Sequence, residues 1–190
     1  EIGNLQDDNL FLKLSTLLKL LSLSLATKPY FYGLLYPLIS SFKERELFKD
    51  SEIKKYTDLQ ASVGLFILAR ITEFYKIRYY NGMKLIEGLR GIEEIILPKI
   101  SQNTQPVFSR FPIVFKDLKA RDKVEKKLWR AGIETSRMYL KPLHHIFELG
   151  YRKEEFPKAV YLAQRLLKLP VHPAVNQVTK DRIIDIFRNL

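Results

Sequence analysis

Two of the chain's three histidines stand side by side in YLKPLHH, residues 139–145. Within seven residues Tyr139, Lys141, His144 and His145 offer a phenol, an ammonium and two imidazoles. These groups donate and accept hydrogen bonds, and the imidazoles exchange protons near neutral pH. The stretch is either a reactive corner or a turn whose histidines are solvated, and residue types alone favour the turn. His172 in LPVHP lies between Pro170 and Pro173, which suits a rigid fixture better than a mobile acid–base group. There is no cysteine. That excludes disulfides, thiolate metal sites and cysteine nucleophiles, and it fits a reducing, cytoplasmic setting. Three histidines without cysteine argue against a structural zinc site, so no metal is expected. No Walker A loop, dinucleotide fingerprint, HExxH or GxSxG is present.

The elements that must position these residues follow from periodicity. NLFLKLSTLLKLLSLSLATKPYFYGLLYPLISSF, residues 9–42, looks membrane-like at first. Lys13, Lys19 and Lys28 interrupt it, and Pro29 and Pro37 break it. The longest uncharged run, Pro29 to Phe42, falls short of the ~18–20 residues a spanning helix needs. Leucines at 10, 14, 17, 18, 21 and 25 predict a helix to about Ala26, then a proline turn and a second apolar helix. That surface must bury against the chain's own core, a partner subunit or a membrane surface. Membrane contact of residues 10–42 ranks last of the three. No basic n-region precedes an apolar h-region, so no signal peptide is expected.

Residues 43–56 read as a mixed-charge linker. Thr57 and Gln60 make a capping-box pair, and the apolar spacing that follows predicts one helix to Gly88 or Gly91. At about 30 residues it would be near 45 Å long, enough to tie two bodies together. VFSRFPIVFK, residues 107–116, predicts a strand, with Pro112 pointing to an edge or a bulge. Asp117 caps and Gly132 stops a helix, IETSRMYL is a second strand candidate, and KEEFPKAVYLAQRLLKL is a helix. PVHP is a rigid extended piece, and Thr179 caps the terminal helix. The expected class is α+β: a helical N-terminal part with one long helix, then a small C-terminal domain whose short sheet is covered by helices. The expected divisions are 1–56, a helical segment; 57–91, an interdomain helix; and 92–190, the small domain.

The net charge is +11, and nearly all of the excess lies after Tyr56. The basic residues alternate with acids at helical spacing, as on solvated helix faces. A nucleic-acid-binding domain therefore ranks last among the functions considered, and no nucleic-acid partner is expected.

Three stretches carry a family resemblance. YTDLQASVGL resembles an aromatic or Met, a small polar residue, then D-[LI]-Q-A-A-x-G. AGIETSRMYLKPLHH is similar to G-I-x-T-x-x-x-Y-P-K-P-L-H, and FPKAVYLAQRLLKLPVHPAV to F-P-x-A-x-x-x-x-x-x-x-L-x-L-P-x-H-P. In order and spacing they resemble the DegT/DnrJ/StrS family of pyridoxal phosphate (PLP)-dependent sugar aminotransferases, from roughly Tyr56 to Leu190. The resemblance implies aspartate-aminotransferase fold type I. It also implies transfer of an amino group, usually from glutamate, to a keto-sugar nucleotide in a homodimer. The Schiff-base lysine and its partner acid would precede this region, so the chain looks like a C-terminal half that is inactive alone and has no catalytic residue of its own. PLP is then the cofactor of the full-length enzyme rather than of this chain.

By the same resemblance Tyr139 and His144 lie at the mouth of the active site, placed to bind substrate, while His145 remains a turn residue. Leu140 stands where the family prefers proline. The family's N-x-R, which reaches toward the neighbouring subunit's cofactor phosphate and ligand, falls at Ile53 and Lys55. Isoleucine donates no hydrogen bond, and lysine lacks the arginine fork, so Lys55 is the cofactor-binding candidate, with Lys54 its neighbour. The alternative from another class is a non-catalytic interaction module of the same fold.

Overall fold

Local capping chemistry sets where the helices begin. The computed structural model describes residues 10–26, 31, 57–137, 139 and 141–190. Their contacts divide the chain into two units, Glu1–Arg70 and Ile71–Leu190.

In the first unit, α1 (Leu10–Ala26) and α2 (Asp58–Leu68) are described. The helix expected to Ala26 is present. Thr57 caps α2 through the expected reciprocal box: the Gln60 N–H donates to Thr57 Oγ1 at 3.3 Å, and the Thr57 N–H donates to Gln60 Oε1 at 3.0 Å. Leu10, Leu14 and Leu17 of α1 border a shallow groove with Leu59 and Ser62 of α2. Leu65, Phe66, Ile67 and Leu68 stay exposed. The apolar helix expected after Pro29 and the linker at 43–56 lie outside the described residues. Among the described residues no helix is long and apolar enough to cross a membrane.

The single long helix expected from Thr57 is instead two helices. Ala69 and Arg70 form a turn in which the Arg70 N–H reaches back only three residues, to the Ile67 carbonyl at 3.0 Å. No proline or glycine marks that break. The second unit then opens with α3 (Ile71–Leu89). Gly91, at φ +85°, takes the left-handed position after it. Gly88 does not end the helix. It lies inside α3, where a Cβ would meet Ile184 Cδ1 at 2.3 Å, so it permits close packing on the last helix.

The sheet is antiparallel, in the order β1 (Ile95–Ile96), β2 (Phe111–Phe115), β3 (Leu166–Leu169). Phe111 pairs with Leu169 and Ile113 with Leu167. Pro112 therefore sits in the middle strand of the sheet. It is tolerated because β1 is two residues long and pairs only at Val114 and Phe115, leaving β3 as the one neighbouring strand at Pro112. β3 corrects the sequence reading, which continued a helix to Leu169. The second strand candidate shrinks to one bridge between Ser136 and Lys168.

α4 (Leu118–Arg130) is capped by Asp117, whose Oδ2 accepts from the Ala120 N–H at 2.9 Å, and Gly132 follows it at φ +72°. Both ends are where the sequence puts them. α5 (Pro157–Arg165) leads directly into β3, and α6 (Gln177–Arg188) closes the chain. Asn176, not Thr179, caps α6: its Oδ1 accepts from both the N–H and the hydroxyl of Thr179 at 2.9 Å. PVHP is not a simple extended piece either, because the Val175 N–H closes a turn onto the His172 carbonyl at 2.9 Å.

Alternation along β2 sends Phe111, Ile113 and Phe115 inward. They meet Leu85 and Leu89 of α3, Val124 and Leu128 of α4, and Ile183 and Phe187 of α6, all fully buried. Phe115 stacks on Phe187 with centroids 5.7 Å apart. Each such side chain contributes about 1.5–3 kcal/mol of burial. This core makes the sheet a rigid plate from which the loops project.

Candidate functional site

Two loops and one helix build the candidate site. Pro142, at φ −63°, leads into a single 3-10 turn at Leu143–His145. The turn places Tyr139 and His144 on the same pocket of about 430 Å³, with Lys141, Tyr151, Phe156 and Ala163 in its lining. The sequence puts Tyr139 and His144 five residues apart; the structure brings them to one cavity.

His144 packs edge-on against Phe156, centroids 5.2 Å apart, and against His145 at 4.3 Å. Its Nε2 is enclosed by protein and has no hydrogen-bond partner among the described residues. Enclosed polar atoms in native folds nearly always have a partner. Its hydrogen-bonding capacity, as donor or acceptor according to the tautomer, is unused among the described residues.

His145 has a different job. Its Nε2 lies 2.8 Å from the Lys153 carbonyl, which can only accept, so that nitrogen carries the proton. The bond ties the 3-10 turn to the loop ahead of α5, and His145 is half-buried in that role.

Sequence reasoning passed over Phe156 and Tyr151. Phe156 is left-handed, at φ 58°, immediately before Pro157. That conformation costs a non-glycine residue about 1–2 kcal/mol. Strain of this kind gathers at ligand sites. Here it aims the ring at His144 on one side and at Tyr151, 5.0 Å away, on the other. The dipeptide Phe156-Pro157 was the available signal, because a residue before proline is barred from the ordinary helical region.

Lys55 and Ile53, with neighbouring Lys54, lie outside the described residues. His172 lies apart from this pocket, at the far end of β3. Burial and the positive charge of Arg78 push its pKa below 6.5, while Glu134 pulls weakly the other way.

The pocket does not fit PLP itself. That cofactor needs a lysine for its Schiff base and a carboxylate at its pyridine nitrogen. No carboxylate is among the described lining residues, and Lys141 is exposed. The buried lysine of this unit, Lys180, donates to Asn81 Oδ1 at 2.8 Å and lies over the Tyr80 ring. What the pocket offers is an apolar, aromatic wall with a phenol and an imidazole at its edge.

A sequence profile of the DegT/DnrJ/EryC1/StrS aminotransferase family matches residues 52–188. An uncharacterized protein of Methanocaldococcus jannaschii, MJ1066, is 31% identical over 137 residues, 68% of this chain and 34% of that protein. The dTDP-3-amino-3,4,6-trideoxy-alpha-D-glucose transaminase of Streptomyces venezuelae is 28% identical over 136 residues, 69% of this chain and 35% of that enzyme. The crystal structure of Streptomyces venezuelae DesV in complex with a ketimine intermediate superposes with a TM-score of 0.63 at 26% identity. That match covers 76% of this chain and 40% of DesV. The chain spans about a third of the length of the curated relatives it matches over most of its own length.

Proposed function

The chain belongs to the DegT/DnrJ/EryC1/StrS aminotransferase family, and on that premise we propose that it forms the small-domain side of the active site in a homodimeric enzyme. The reaction is amino transfer from glutamate to a keto-sugar nucleotide. One observation supports the substrate class: Tyr139 and His144 line one aromatic-walled cavity, and His144 Nε2 has no hydrogen-bond partner among the described residues.

In this reading the sugar lies against Phe156 and Tyr151, whose rings exclude water from one face. Nε2 of His144 and the phenol of Tyr139 hydrogen-bond its hydroxyl or phosphate oxygens and fix its orientation. Lys141, exposed at the pocket edge, adds a positive charge toward the nucleotide phosphates. When bound, PLP supplies the electron sink for amino transfer. The Schiff-base lysine belongs to residues outside those described here. The role proposed for Lys55, by the family resemblance, is that of a point charge for the neighbouring subunit's cofactor phosphate.

The test is isotope transfer. The PLP-loaded enzyme that contains this chain is incubated with ¹⁵N-glutamate and a panel of keto-sugar nucleotides, and products are weighed. Labelled amino-sugar nucleotide is the expected product. Incorporation into simple keto acids only, with none into any sugar nucleotide, overturns the substrate class.

A further inference from the structure

A second cavity, of about 220 Å³, opens at the far end of β3, where the loops at 108–110, 134–136 and 170–172 meet Arg78 of α3. We propose that this cavity is a phosphate-binding site, with Arg78, Arg110 and His172 as its principal ligands.

Its lining is cationic and hydroxyl-rich. Arg78, Arg110 and Lys168 bring three full positive charges against one carboxylate, Glu134, and Ser109, Thr135 and Ser136 add hydroxyls. Arg78 is held in place: its Nη1 donates to the Ser109 carbonyl at 3.1 Å and the Phe108 carbonyl at 3.4 Å. Both bonds use Nη1, so three further N–H groups remain on Nε and Nη2, in the fork geometry that matches phosphate oxygens. Arg110 is exposed and free to swing over the opening.

The walls are fixed from beneath by groups that do little else. Asn81, 2% exposed, donates from Nδ2 to the carbonyls of Val171, His172 and Val175 at 3.3, 3.4 and 3.4 Å. Lys180, 4% exposed, donates to Asn81 Oδ1. A buried ammonium and carboxamide thus hold the His172 loop in one shape. On the opposite wall the Phe108 ring sits where a Cβ on Gly82 would be, which seats the Ser109–Arg110 backbone.

The imidazole of His172 reports the field inside. Burial, then the Arg78 charge, disfavours its protonation, against a smaller opposing pull from Glu134. An anion seated between Arg78 and His172 offsets that field and returns the imidazole toward its protonated, donating form. A partly open cavity of this size admits a phosphate or a diphosphate group. A nucleic-acid strand needs a continuous basic track with stacking rings, which the lining does not provide. The chemistry serves an inorganic phosphate or the diphosphate of a nucleotide equally.

With three histidines in the chain, the imidazole Cε1–H resonances form a small, assignable set. Pyrophosphate, inorganic phosphate and a nucleoside diphosphate are titrated into the 190-residue chain at constant ionic strength, with His172→Gln fixing the assignment. The expected result is a saturable shift of the His172 signal by pyrophosphate, a rise in its apparent pKa on binding, and no shift at His144 or His145. Arg110→Gln, an exposed position with little bearing on the fold, weakens binding about three- to tenfold. Tighter binding of the nucleoside diphosphate than of pyrophosphate assigns the site to a nucleotide ligand; equal affinity assigns it to a free anion. Shifts that are linear in concentration, or equal at all three histidines, or unchanged in Arg110→Gln, overturn the site.

Discussion

Gly82→Ala tests how the second unit is seated. Glycine inside a helix is ordinarily a defect, and alanine in its place gains about 0.8–1 kcal/mol of helix propensity. At Gly82 the new Cβ would meet Phe108 Cδ2 at 2.3 Å and two more atoms of that ring at 2.6 Å. Ordinary contact begins near 3.4 Å, so the ring must move by about 1 Å. Phe108 is buried, lies 5.5 Å from the Phe111 ring, and has a left-handed backbone at φ 48°, which leaves little room to retreat. Overpacking of this kind costs about 1–3 kcal/mol; with little room for the ring to retreat the cost falls toward the upper end of that range, and after the propensity gain the net destabilisation is up to about 2 kcal/mol. Gly88→Ala is the control. Its clash is with Ile184 Cδ1 at 2.3 Å and Cγ1 at 2.7 Å, on a half-buried side chain with more room to turn away than Phe108 has, and the propensity gain offsets part of that cost. The assay is urea unfolding followed by the fluorescence of Trp129, the one tryptophan, which lies on α4 in the same unit. Gly82→Ala should lower the midpoint with an unchanged slope, Gly88→Ala should stay within about 0.5 kcal/mol of wild type, and adding Phe108→Leu to Gly82→Ala should recover part of the loss. A Gly82→Ala chain as stable as wild type would refute the reasoning.

Three further outcomes follow from particular residues. Phe156→Gly removes the left-handed strain while Phe156→Ala keeps it, so the alanine variant should be less stable by about 1 kcal/mol in the same unfolding assay. His172 has a lowered folded pKa, so the unfolded chain takes up its proton first as pH falls; its contribution to stability is complete above pH 6.5 and declines below it. Denaturant midpoints between pH 8 and 5 should therefore drop less steeply in His172→Gln. In the proposed full-length dimer, Lys55→Met should loosen PLP or substrate at low salt, with the wild-type advantage shrinking as ionic strength rises and Lys54→Met changing little.

What could be read in the sequence was local chemistry. Thr57 with Gln60, Asp117 and Gly132 all act where the sequence places them, because caps and left-handed stops are decided within four residues. β2 was legible for the same reason: alternation and β-branching survive in a five-residue window. β3 was not. Leu166–Leu169 is a helix-favouring run that becomes a strand because it pairs with β2, more than fifty residues earlier, and fills the core with Leu167 and Leu169. The turn at Ala69–Arg70 breaks a continuous apolar pattern with no local signal at all. In the site, Tyr139 and His144 were reached through a family resemblance, whereas Phe156 became visible only through its backbone angle and the rings it touches. Distance in sequence hid it: twelve residues separate it from His144.

The measurement that bears most directly on the pocket is the affinity of the PLP-loaded, full-length enzyme for the proposed sugar-nucleotide substrate, with and without His144→Ala. One hydrogen bond to the enclosed Nε2 is worth ~1–3 kcal/mol, so the substrate dissociation constant should rise roughly ten- to a hundredfold while PLP affinity stays unchanged. An unchanged substrate constant would make His144 an ordinary turn residue and contradict the assignment of this pocket to the sugar.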